Sequence, residues 1–542
     1  MEHTCRRILI LLLGVVPAAS QPPAAHFTNV TEASGIRFRH SFGDDNMSSI
    51  LEATGSGCVF FDADGDGRPD LYAVSGGWLD GISEPEAEAR HHTASNRLFH
   101  NRGDGTFQDV TQVSGAGDAG YGMGAVAADY DNDGSTDLYV TNYGANRLLR
   151  NSGKGDFRDV TDASGTGEAA WSAGATWLDC DLDGDLDLFV GNYLDFDPAY
   201  RLYYAADAFP GPLAYPGLTD VLYRNNGDGT FTDIAAAVGV AREGRAMGVA
   251  TADIDANGWP DLFVANDAMG NFLYRNTRGA FEEVALVSGV AFSTNGDASS
   301  SMGADFADID ADGDADLFVP DMAYNNLYVN DGKGWFEDRT AAAGVAEVSG
   351  QYVSWHGEFL DVDNDGDRDL FVSNGSAHYV DHTQEALLLL LEPRGTSWRF
   401  GDVSGEAGPY FRRRVVARGA ATADYDDDGD LDLFVLHLDQ PSVLLRNDTT
   451  GQHWLRLLLR GTQANRDAIG ARVRVWAGDL VQIAERTSGK GYLSQSDARL
   501  HFGLGTRARV DSVAVDWPGG GRTVLVDVPA DQTLRVTQDG DR

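Results

Sequence analysis

The nine residues Asp308-Ile-Asp-Ala-Asp-Gly-Asp-Ala-Asp316 decide the fold, because the same pattern returns along the whole chain. The shared form is D-x-D-x-(D/N)-G-x-x-D followed by Leu, and successive copies begin 50 to 74 residues apart. We call the copies loops 1 to 7, beginning at Asp62, Asp129, Asp179, Asp253, Asp308, Asp361 and Asp424. A repeat of this length predicts one supersecondary unit per copy.

The residues around each loop predict four short β-strands per unit. A Gly-rich apolar run such as Gly124-Ala-Val-Ala-Ala-Asp129 enters the loop, and a run such as Asp187-Leu-Phe-Val190 leaves it. Stretches like Asn146-Arg-Leu-Leu-Arg-Asn151 and Phe157-Arg-Asp-Val-Thr161 then supply two more strands. Seven such units predict an all-β fold, a seven-bladed β-propeller followed by a small C-terminal β-domain, with a linear solenoid as the alternative.

The N-terminus carries a mark of ring closure. Phe27-Thr-Asn-Val-Thr31 copies the fourth strand Phe107-Gln-Asp-Val-Thr111, yet it precedes loop 1. The seventh unit, residues 419–447, has three strands and no obvious fourth. We therefore predict that the N-terminal strand completes the seventh blade, which would protect a sheet edge.

The charge of the chain restricts its partners. The 83 acidic residues against 41 basic ones give a formal net charge of -42. Such a charge repels nucleic acid and anionic lipid, so we expect no nucleic-acid partner. A cation is the favoured small ligand.

The first residues predict export. Residues 8–16 are apolar, follow Arg6 and Arg7, and precede the small residues Ala18 and Ser20. This predicts a signal peptide at 1–20, with an uncleaved anchor as the alternative; nine apolar residues are too few to span a bilayer. The mature chain would be secreted, extracellular or periplasmic, with no membrane insertion, a propeller at 21–450 and a β-domain at 451–542. It would keep only Cys58 and Cys180, which excludes a disulfide scaffold.

Each loop predicts a calcium site. Carboxylates stand at positions 1, 3, 5 and 9 of a turn with Gly at position 6, and Ca²⁺ takes six to eight oxygen ligands in flexible geometry. Mg²⁺ demands compact octahedral geometry, and Zn²⁺ is disfavoured because none of these positions is Cys or His. The predicted metal ligands are Asp62, Asp64, Asp66 and Asp70; Asp129, Asp131, Asp133 and Asp137; Asp179, Asp181, Asp183 and Asp187; Asp253, Asp255, Asn257 and Asp261; Asp308, Asp310, Asp312 and Asp316; Asp361, Asp363, Asp365 and Asp369; and Asp424, Asp426, Asp428 and Asp432.

Two further expectations follow from the loops. Loop 4 should bind most weakly, because Asn257 keeps an oxygen but lacks a charge.

The alternative to metal sites is a set of solvated turns. However, carboxylates about 4 Å apart repel by about 1 kcal/mol in water and about 4 kcal/mol near a protein surface, so empty loops would oppose folding.

The loops resemble the FG-GAP or VCBS repeats of integrin α-subunit propellers. The tail, with His453-Trp-Leu-Arg-Leu457 and Val515-Asp-Trp-Pro-Gly519, resembles the ASPIC/UnbV domain. The combination is similar to the cartilage acidic protein family over nearly the whole mature chain. The resemblance implies calcium binding and an extracellular interaction role, and it implies no established chemistry.

The long insertions predict where a partner binds. Residues 76–95, 192–219 and 375–385 fall on the propeller face opposite the loops, and long loops on a rigid scaffold commonly carry function. Their aromatic and histidine residues suit a protein or glycan ligand. They are Trp78, His91, His92, Tyr193, Phe196, Tyr200, Tyr203, Tyr204, Phe209, Tyr215, His378 and Tyr379. The alternative is that they pack against one another over the central channel.

The leading hypothesis is therefore a secreted calcium-binding recognition or adhesion scaffold without catalysis. The alternative is a carbohydrate-active propeller, either a lectin or a polysaccharide lyase. His356 stands where the other six units have Gly, so it could join His378 and His382 in a site or simply pack. No G-x-S-x-G, H-E-x-x-H or phosphate-loop motif occurs. Arg466, Asp467 and Arg472 predict a surface ion pair or a recognition patch.

Overall fold

The computed structural model describes residues 25–91, 94–200, 209–293, 295–394 and 397–538. The predicted signal peptide, His92, Tyr203 and Tyr204 lie outside the described residues. The strands, in chain order, are β1 (Phe27–Asn29), β2 (Cys58–Phe61), β3 (Asp70–Ala73), β4 (Arg97–Asn101), β5 (Phe107–Asp109), β6 (Tyr121–Ala128), β7 (Asp137–Tyr143), β8 (Arg147–Asn151), β9 (Phe157–Asp159), β10 (Ser172–Leu178), β11 (Asp187–Asn192), β12 (Leu218–Thr219), β13 (Val221–Asn225), β14 (Phe231–Asp233), β15 (Glu243–Gly244), β16 (Ala246–Ala252), β17 (Asp261–Asn266), β18 (Phe272–Thr277), β19 (Ala280–Glu283), β20 (Asp305–Ala307), β21 (Asp316–Val319), β22 (Asn326–Asn330), β23 (Phe336–Asp338), β24 (Ser354–Leu360), β25 (Asp369–Asn374), β26 (Leu387–Arg394), β27 (Ser397–Asp402), β28 (Ala417–Ala423), β29 (Asp432–His437), β30 (Val443–Asn447), β31 (His453–Arg460), β32 (Arg472–Ala477), β33 (Leu480–Glu485), β34 (Leu500–Gly505), β35 (Arg509–Asp516), β36 (Arg522–Pro529) and β37 (Gln532–Thr537).

Helices are single turns between blades or inside insertions. The α-helices are α1 (Thr31–Ser34), α2 (Glu88–His91), α3 (Thr111–Ser114), α4 (Thr161–Ser164), α5 (Ala235–Val238), α6 (Ala285–Ser288) and α7 (Val345–Ser349), and the 3-10 helices are Pro85–Ala87, Pro212–Ala214 and Pro409–Arg412. Within the described ranges, none of the helices has the length and apolar character needed to cross a bilayer.

The strands form a ring of blades. In the described chain, seven four-stranded antiparallel sheets follow one another: β2 to β5, β6 to β9, β10-β11-β13-β14, β16 to β19, β20 to β23, β24 to β27, and β28-β29-β30-β1. We number these sheets blades 1 to 7. The first strand of each blade contacts the first strand of the next, and β28 contacts β2, which closes the circle. The predicted all-β propeller is confirmed, and the seven sheets agree with the predicted number of blades.

The seventh blade is completed by the N-terminus. Strand β1 pairs antiparallel with β30, and Phe27 lies opposite Asn447. The Phe27 side chain is fully buried, with its ring centroid 5.7 Å from that of Phe411. The chain ends of the propeller are therefore joined by hydrogen bonds and by a buried aromatic contact, in the register that the sequence repeat predicts.

The C-terminal domain consists of two sheets, ordered β34-β31-β37 and β33-β32-β35-β36. Their inner faces share a core that includes Leu455, Leu457, Val473, Val475 and Val515. Along β32 buried and half-buried residues alternate, as expected for a strand with one face packed against a second sheet. The domain lies against the face of the propeller that carries the seven loops, as the contacts below show.

One segment of the C-terminal domain, residues 487–497, fills the central channel of the propeller. We call it the channel segment. Gln495 N donates to Cys58 O of blade 1 at 2.9 Å, and Gly491 N donates to Ala304 O of blade 5 at 2.6 Å. Lys490 Nζ lies 2.8 Å from Glu358 Oε1 of blade 6. The C-terminal domain is thus tied to the ring from inside.

The channel segment explains several of the repeated glycines that precede the loops. A Cβ atom on Gly57 would lie 1.8 Å from Leu493 O, and one on Gly303 would lie 2.6 Å from Gly491 O. No side chain fits at these two positions, because protein interiors are close-packed. At Gly174 the obstacle is instead the next blade, since a Cβ atom there would lie 2.5 Å from Met247 O.

His356 breaks the glycine pattern because it forms a specific contact with the channel segment. Its Nδ1 accepts a hydrogen bond from Tyr492 N at 3.1 Å, and its Nε2 donates to Glu358 at 3.3 Å. His378 instead stacks on Phe209, with centroids 5.2 Å apart. His382 packs on Tyr379. The three histidines that the sequence singled out make three different contacts.

Candidate metal centres

Each loop is a tight turn held by its first aspartate. In loop 2, Asp129 accepts hydrogen bonds from Asp133 N at 2.9 Å and Gly134 N at 2.7 Å. Gly134 has φ +96°, a left-handed conformation that glycine adopts without steric cost. The position-6 glycine is required at this point of the turn because the backbone reverses there toward the first carboxylate.

The ninth residue of the loop closes the candidate site. Asp137 is fully buried at the start of β7, and Asn151 N donates to it at 2.7 Å. Carboxylate oxygens of Asp129, Asp131 and Asp137 lie within 4.8 Å of one another. The same spacing is found for Asp179, Asp181 and Asp187, for Asp253, Asp255 and Asp261, and for Asp62, Asp64 and Asp66. Several of the predicted ligand sets are thus brought together.

Buried oxygens without partners indicate that these turns fit a cation. In loops 2 to 7 at least one buried carboxylate oxygen has no hydrogen-bond donor within the described residues. They are Asp137 Oδ2, Asp181 Oδ1, Asp255 Oδ1, Asp308 Oδ1, Asp310 Oδ1, Asp361 Oδ1 and Asp426 Oδ1. A buried acceptor without a donor costs about 1–3 kcal/mol, more if it is charged. An oxygen-seeking cation would satisfy these atoms.

The pKa values of the loop aspartates also indicate that the loops fit a cation. Burial, together with the charges of neighbouring aspartates, raises the pKa of Asp137 to about 9 and that of Asp316 to about 8, although backbone hydrogen bonds to both carboxylates act in the opposite direction. The pKa of Asp129 and that of Asp179 rise to about 7, chiefly through burial. In these four carboxylates the cost of burial outweighs the attraction of any nearby cation, including Arg466, whose Nε lies 3.6 Å from Asp129.

Asn257 takes the position-5 role in loop 4 without a charge. Its side-chain oxygen accepts a hydrogen bond from Trp259 N at 2.8 Å, and its amide nitrogen donates to Asn276 O at 3.2 Å. The orientation of the amide keeps the oxygen on the side that the position-5 aspartates use in the other loops. The expectation that loop 4 binds most weakly remains a prediction.

Arginines that sequence reasoning did not single out also contact the loops. Arg150 Nε lies 2.6 Å from Asp131, and its Nη2 lies 3.0 Å from Asp133. From the C-terminal domain, Arg456 Nη1 lies 2.8 Å from Asp424, and both side chains are buried. The recurrence of Arg before the last Asn of the third strand was the available signal for Arg150.

Arg466, Asp467 and Arg472 face the propeller rather than solvent. Arg466 N donates to Asn132 Oδ1 at 2.9 Å in loop 2. Asp467 accepts from Asp129 N at 2.9 Å, and Arg472 donates to Gly313 O in loop 5. The sequence-based interpretation as a surface ion pair or a recognition patch was therefore wrong, since these residues dock the C-terminal domain on the loops.

A ring of asparagines that the sequence analysis missed joins six of the seven loops to a neighbouring blade. Asn225, the last residue of β13, donates from its side chain to Tyr130 O of loop 2 at 2.8 Å and to Leu186 O of loop 3 at 3.1 Å. Asn101, Asn151, Asn276, Asn330 and Asn447 make the equivalent contacts to the preceding blade. Blade 6 has Leu391 at this place, as the register with Asp369 shows. The repeated Arg-Asn dipeptide was the available signal.

Replacing Asn225 by Ala should lower the free energy of unfolding by about 2–4 kcal/mol, since two buried carbonyls lose their donor. Denaturant unfolding at constant calcium measures this. The neighbouring Asn226 is exposed, so Asn226→Ala serves as the control and should change stability by less than about 0.5 kcal/mol. Equal stability of the two variants would contradict the role of the asparagine ring.

Many of the insertion aromatics are core residues. Tyr193, Phe209 and Tyr215 are buried in one cluster with Tyr492 and Leu493 of the channel segment. Among the described members of the predicted set, Tyr200 is 37% exposed. For the three buried residues, the alternative of packing over the channel describes the structure.

The comparisons with known proteins agree with this architecture. The sequence profile of the FG-GAP-like repeat matches residues 62–140, 129–190, 214–264, 253–319 and 308–372, which together exceed half of the chain. The chain belongs to the FG-GAP-like repeat family. Loops 1 to 6 of these FG-GAP-like repeats lie inside the matched stretches. The profile of the ASPIC and UnbV domain matches residues 461–542, so the predicted resemblance is confirmed.

Curated relatives include cartilage acidic protein 1 of Mus musculus, 28% identical over 301 residues, and that of Homo sapiens, 27% identical over 301 residues. The alignments cover 53% of this chain and 44% and 43% of those proteins, so the FG-GAP-like chain spans less than half of their length. Among solved structures, the extracellular domain of a putative hybrid two-component system from B. thetaiotaomicron aligns with a TM-score of 0.41 at 10% identity. That alignment covers 93% of this chain and 58% of the other.

Proposed function

We propose that the protein is a secreted calcium-binding propeller that acts as an extracellular recognition scaffold and performs no catalysis of its own. One observation carries the proposal: loops 2 to 7 each present a buried carboxylate oxygen to which no hydrogen-bond donor of the described chain is bound. Calcium would be held by the aspartates and Asn257 at positions 1, 3, 5 and 9 of the loops. When bound, it would supply the positive charge that lets buried carboxylates remain ionised.

A recognition role is supported by the way the molecule is closed. The channel segment fills the axis of the ring, so a partner would engage an outer surface. The rigid blades would present the insertion loops, and Trp78 and Tyr200 remain partly or largely accessible there. The proposed partner is an extracellular protein or a glycan. The names of the curated relatives fit an extracellular setting, in which calcium is available to weak sites.

Elemental analysis of protein equilibrated with calcium tests the metal proposal. We expect up to seven bound Ca²⁺ per chain, and no more than one bound ion would refute it. Asn257→Asp should tighten the weakest site, because it restores the missing charge at position 5 of loop 4. Calorimetric titration of this variant beside the wild type measures the change, and an unchanged weakest affinity would place that site elsewhere.

Calcium affinity should depend on pH. Metal-free Asp137 and Asp316, with pKa values of about 9 and 8, hold protons at pH 6 that a bound ion would displace. For one such group, affinity falls about tenfold for each pH unit below its pKa. We therefore expect at least tenfold weaker binding at pH 6 than at pH 8, with proton release on binding. Titration at both pH values in two buffers measures this, and pH-independent binding would contradict it.

The stability of the metal-free protein should show the opposite trend. These carboxylates bind protons more tightly in the folded chain than in the unfolded chain, whose aspartates titrate near pH 4. Stability without calcium should therefore fall as pH rises from about 4 to about 9, since raised pKa values favour the folded state only while the groups are protonated. Melting curves in chelator at pH 6 and pH 8 provide the check.

A second candidate is a carbohydrate-active protein, either a lectin or a polysaccharide lyase. It is favoured by a cavity of about 160 Å³ between the propeller and the C-terminal domain, whose lining includes Glu358, Arg368, Lys490, Arg499 and His501. Charged groups of both signs converge there, as acid–base chemistry on a sugar would need. Incubation with a polysaccharide panel tests it by the ultraviolet absorbance of the C=C bond that elimination creates. Turnover that Arg368→Ala abolishes would replace the scaffold proposal.

A further inference from the structure

Loop 1 differs from the other loops in the residue that faces it from the third strand of its blade. Four of the other blades have arginine immediately before the last Asn of that strand, namely Arg150, Arg224, Arg275 and Arg446. Blade 1 has His100 in this place. Arginine is a permanent cation and cannot bind a metal, whereas a neutral imidazole has a ring nitrogen that can.

The imidazole is directed at the loop carboxylates. His100 Nδ1 lies 3.1 Å from Asp70 Oδ1 and 3.3 Å from Asp64 Oδ2. These three groups each present a ligand atom within 4.8 Å of the others. Asp62, Asp64 and Asp66 form a second such group that shares Asp64. One nitrogen donor and several oxygen donors therefore converge in loop 1.

The surroundings suit exchange with solvent. The side chain of Asp70 is 2% exposed and anchors the group, while those of His100 and Asp64 are 26% and 27% exposed. Asn101 N donates to Asp70 Oδ1 at 2.7 Å and Ala63 N donates to its Oδ2 at 3.0 Å, so this carboxylate is held in place by the backbone. A ligand set that is fixed on the buried side and open on the other can admit an ion.

The donor chemistry distinguishes the ion. Calcium takes oxygen ligands, whereas imidazole suits Zn²⁺ and other late first-row metals. Zinc is bound in proteins by histidine nitrogen together with carboxylate oxygen. We propose that loop 1 is a mixed nitrogen and oxygen site for a first-row transition metal, with His100, Asp64 and Asp70 as its ligands. The inference rests on the proposed function, in which the loops are metal sites, and assigns one loop a different metal.

Cobalt serves as the probe, because its visible absorption reports nitrogen and oxygen ligation. Untagged full-length protein is stripped of metal, equilibrated with millimolar calcium and titrated with Co²⁺, and both metals are measured by elemental analysis. We expect one Co²⁺ to be retained in the presence of calcium. His100→Arg, which copies blades 2, 3, 4 and 7, should weaken Co²⁺ binding at least tenfold and leave calcium at the other loops unchanged.

Two further variants keep the test decisive. His100→Gln retains a polar side chain that can bond to Asp64 and Asp70, so it should fold and still lose cobalt. His453→Gln is the matched control, because His453 pairs with Asp531 on the C-terminal domain at 2.7 Å and neither residue belongs to loop 1, so this variant should retain cobalt. Equal cobalt binding by wild type, His100→Arg and His100→Gln would overturn the proposal, as would no retained cobalt. Absence of bound calcium would instead refute the proposed function.

Discussion

Removal of calcium is expected to cause the largest loss of stability that any change of solution conditions produces in this protein. An ion that binds only the folded chain stabilises it by about 2.7 kcal/mol per site when free calcium is 100-fold above Kd. Several sites contribute to this loss, and neighbouring sites are coupled rather than independent, because Asn132 of loop 2 donates to Gly184 O of loop 3 at 3.2 Å. Chelation also leaves buried, unpartnered carboxylate oxygens such as Asp308 Oδ1 and Asp361 Oδ1.

Thermal melts in millimolar calcium and in chelator, at the same pH and ionic strength, measure this effect. Asp310→Asn should reproduce a fraction of it, since it alters one predicted ligand of loop 5. Asp104→Asn is the control, because Asp104 is an exposed turn residue outside the loops. Identical melting temperatures in calcium and in chelator would refute calcium-dependent stability.

Deletion of residues 25–34 should abolish cooperative unfolding of the native ring. The deletion removes β1 from the sheet of blade 7 and exposes the edge of β30. Loss of the fully buried Phe27 alone should cost about 3–5 kcal/mol, as large-to-small core changes do. An open strand edge also recruits other chains, so we expect aggregation.

Size-exclusion chromatography and calorimetry of the deletion variant test this prediction. Phe27→Ala keeps the strand and removes only the buried ring, so it should fold with a lower melting temperature. Thr28→Ala removes one part-buried hydrogen bond to Asp448 and should cost about 1–2 kcal/mol, less than Phe27→Ala. A deletion variant that melts cooperatively at the wild-type temperature would show that β1 does not hold the ring closed.

Local repetition made much of the fold predictable. Each unit carries its own turn, strands and carboxylates within about 50 residues, so the propeller, the ligand positions and the closing strand could be read from self-similarity. The position-6 glycine follows from the same logic, because Gly134 and its equivalents need a left-handed backbone. The oxygen donors at these positions predict calcium, because Ca²⁺ takes six to eight oxygen ligands.

Contacts between distant parts of the chain could not be read in this way. Gln495 pairs with Cys58 and Lys490 with Glu358, across hundreds of residues, and neither has a repeating partner in the sequence. The sequence contains the glycines before the loops and the exception at His356, but it does not show that the channel segment, which has no repeat, packs against Gly57, Gly303 and His356. The interpretation of Arg466 and Arg472 was wrong for the same reason.

The sequence by itself determined the blades and the loops, because these depend on short-range hydrogen bonds and on a pattern repeated seven times. It also determined the closure of the ring, because β1 copies the fourth strand of that pattern although its partner β30 lies at the other end of the propeller. Only the tertiary structure decided what fills the channel, which insertion aromatics are core, and that His100 meets Asp64 and Asp70. The first two outcomes depend on how the channel segment, which has no repeat, packs against seven similar blades. The third depends on side chains from different strands that meet at one point. Close packing in three dimensions determines these contacts, and the repeat in the sequence does not predict them.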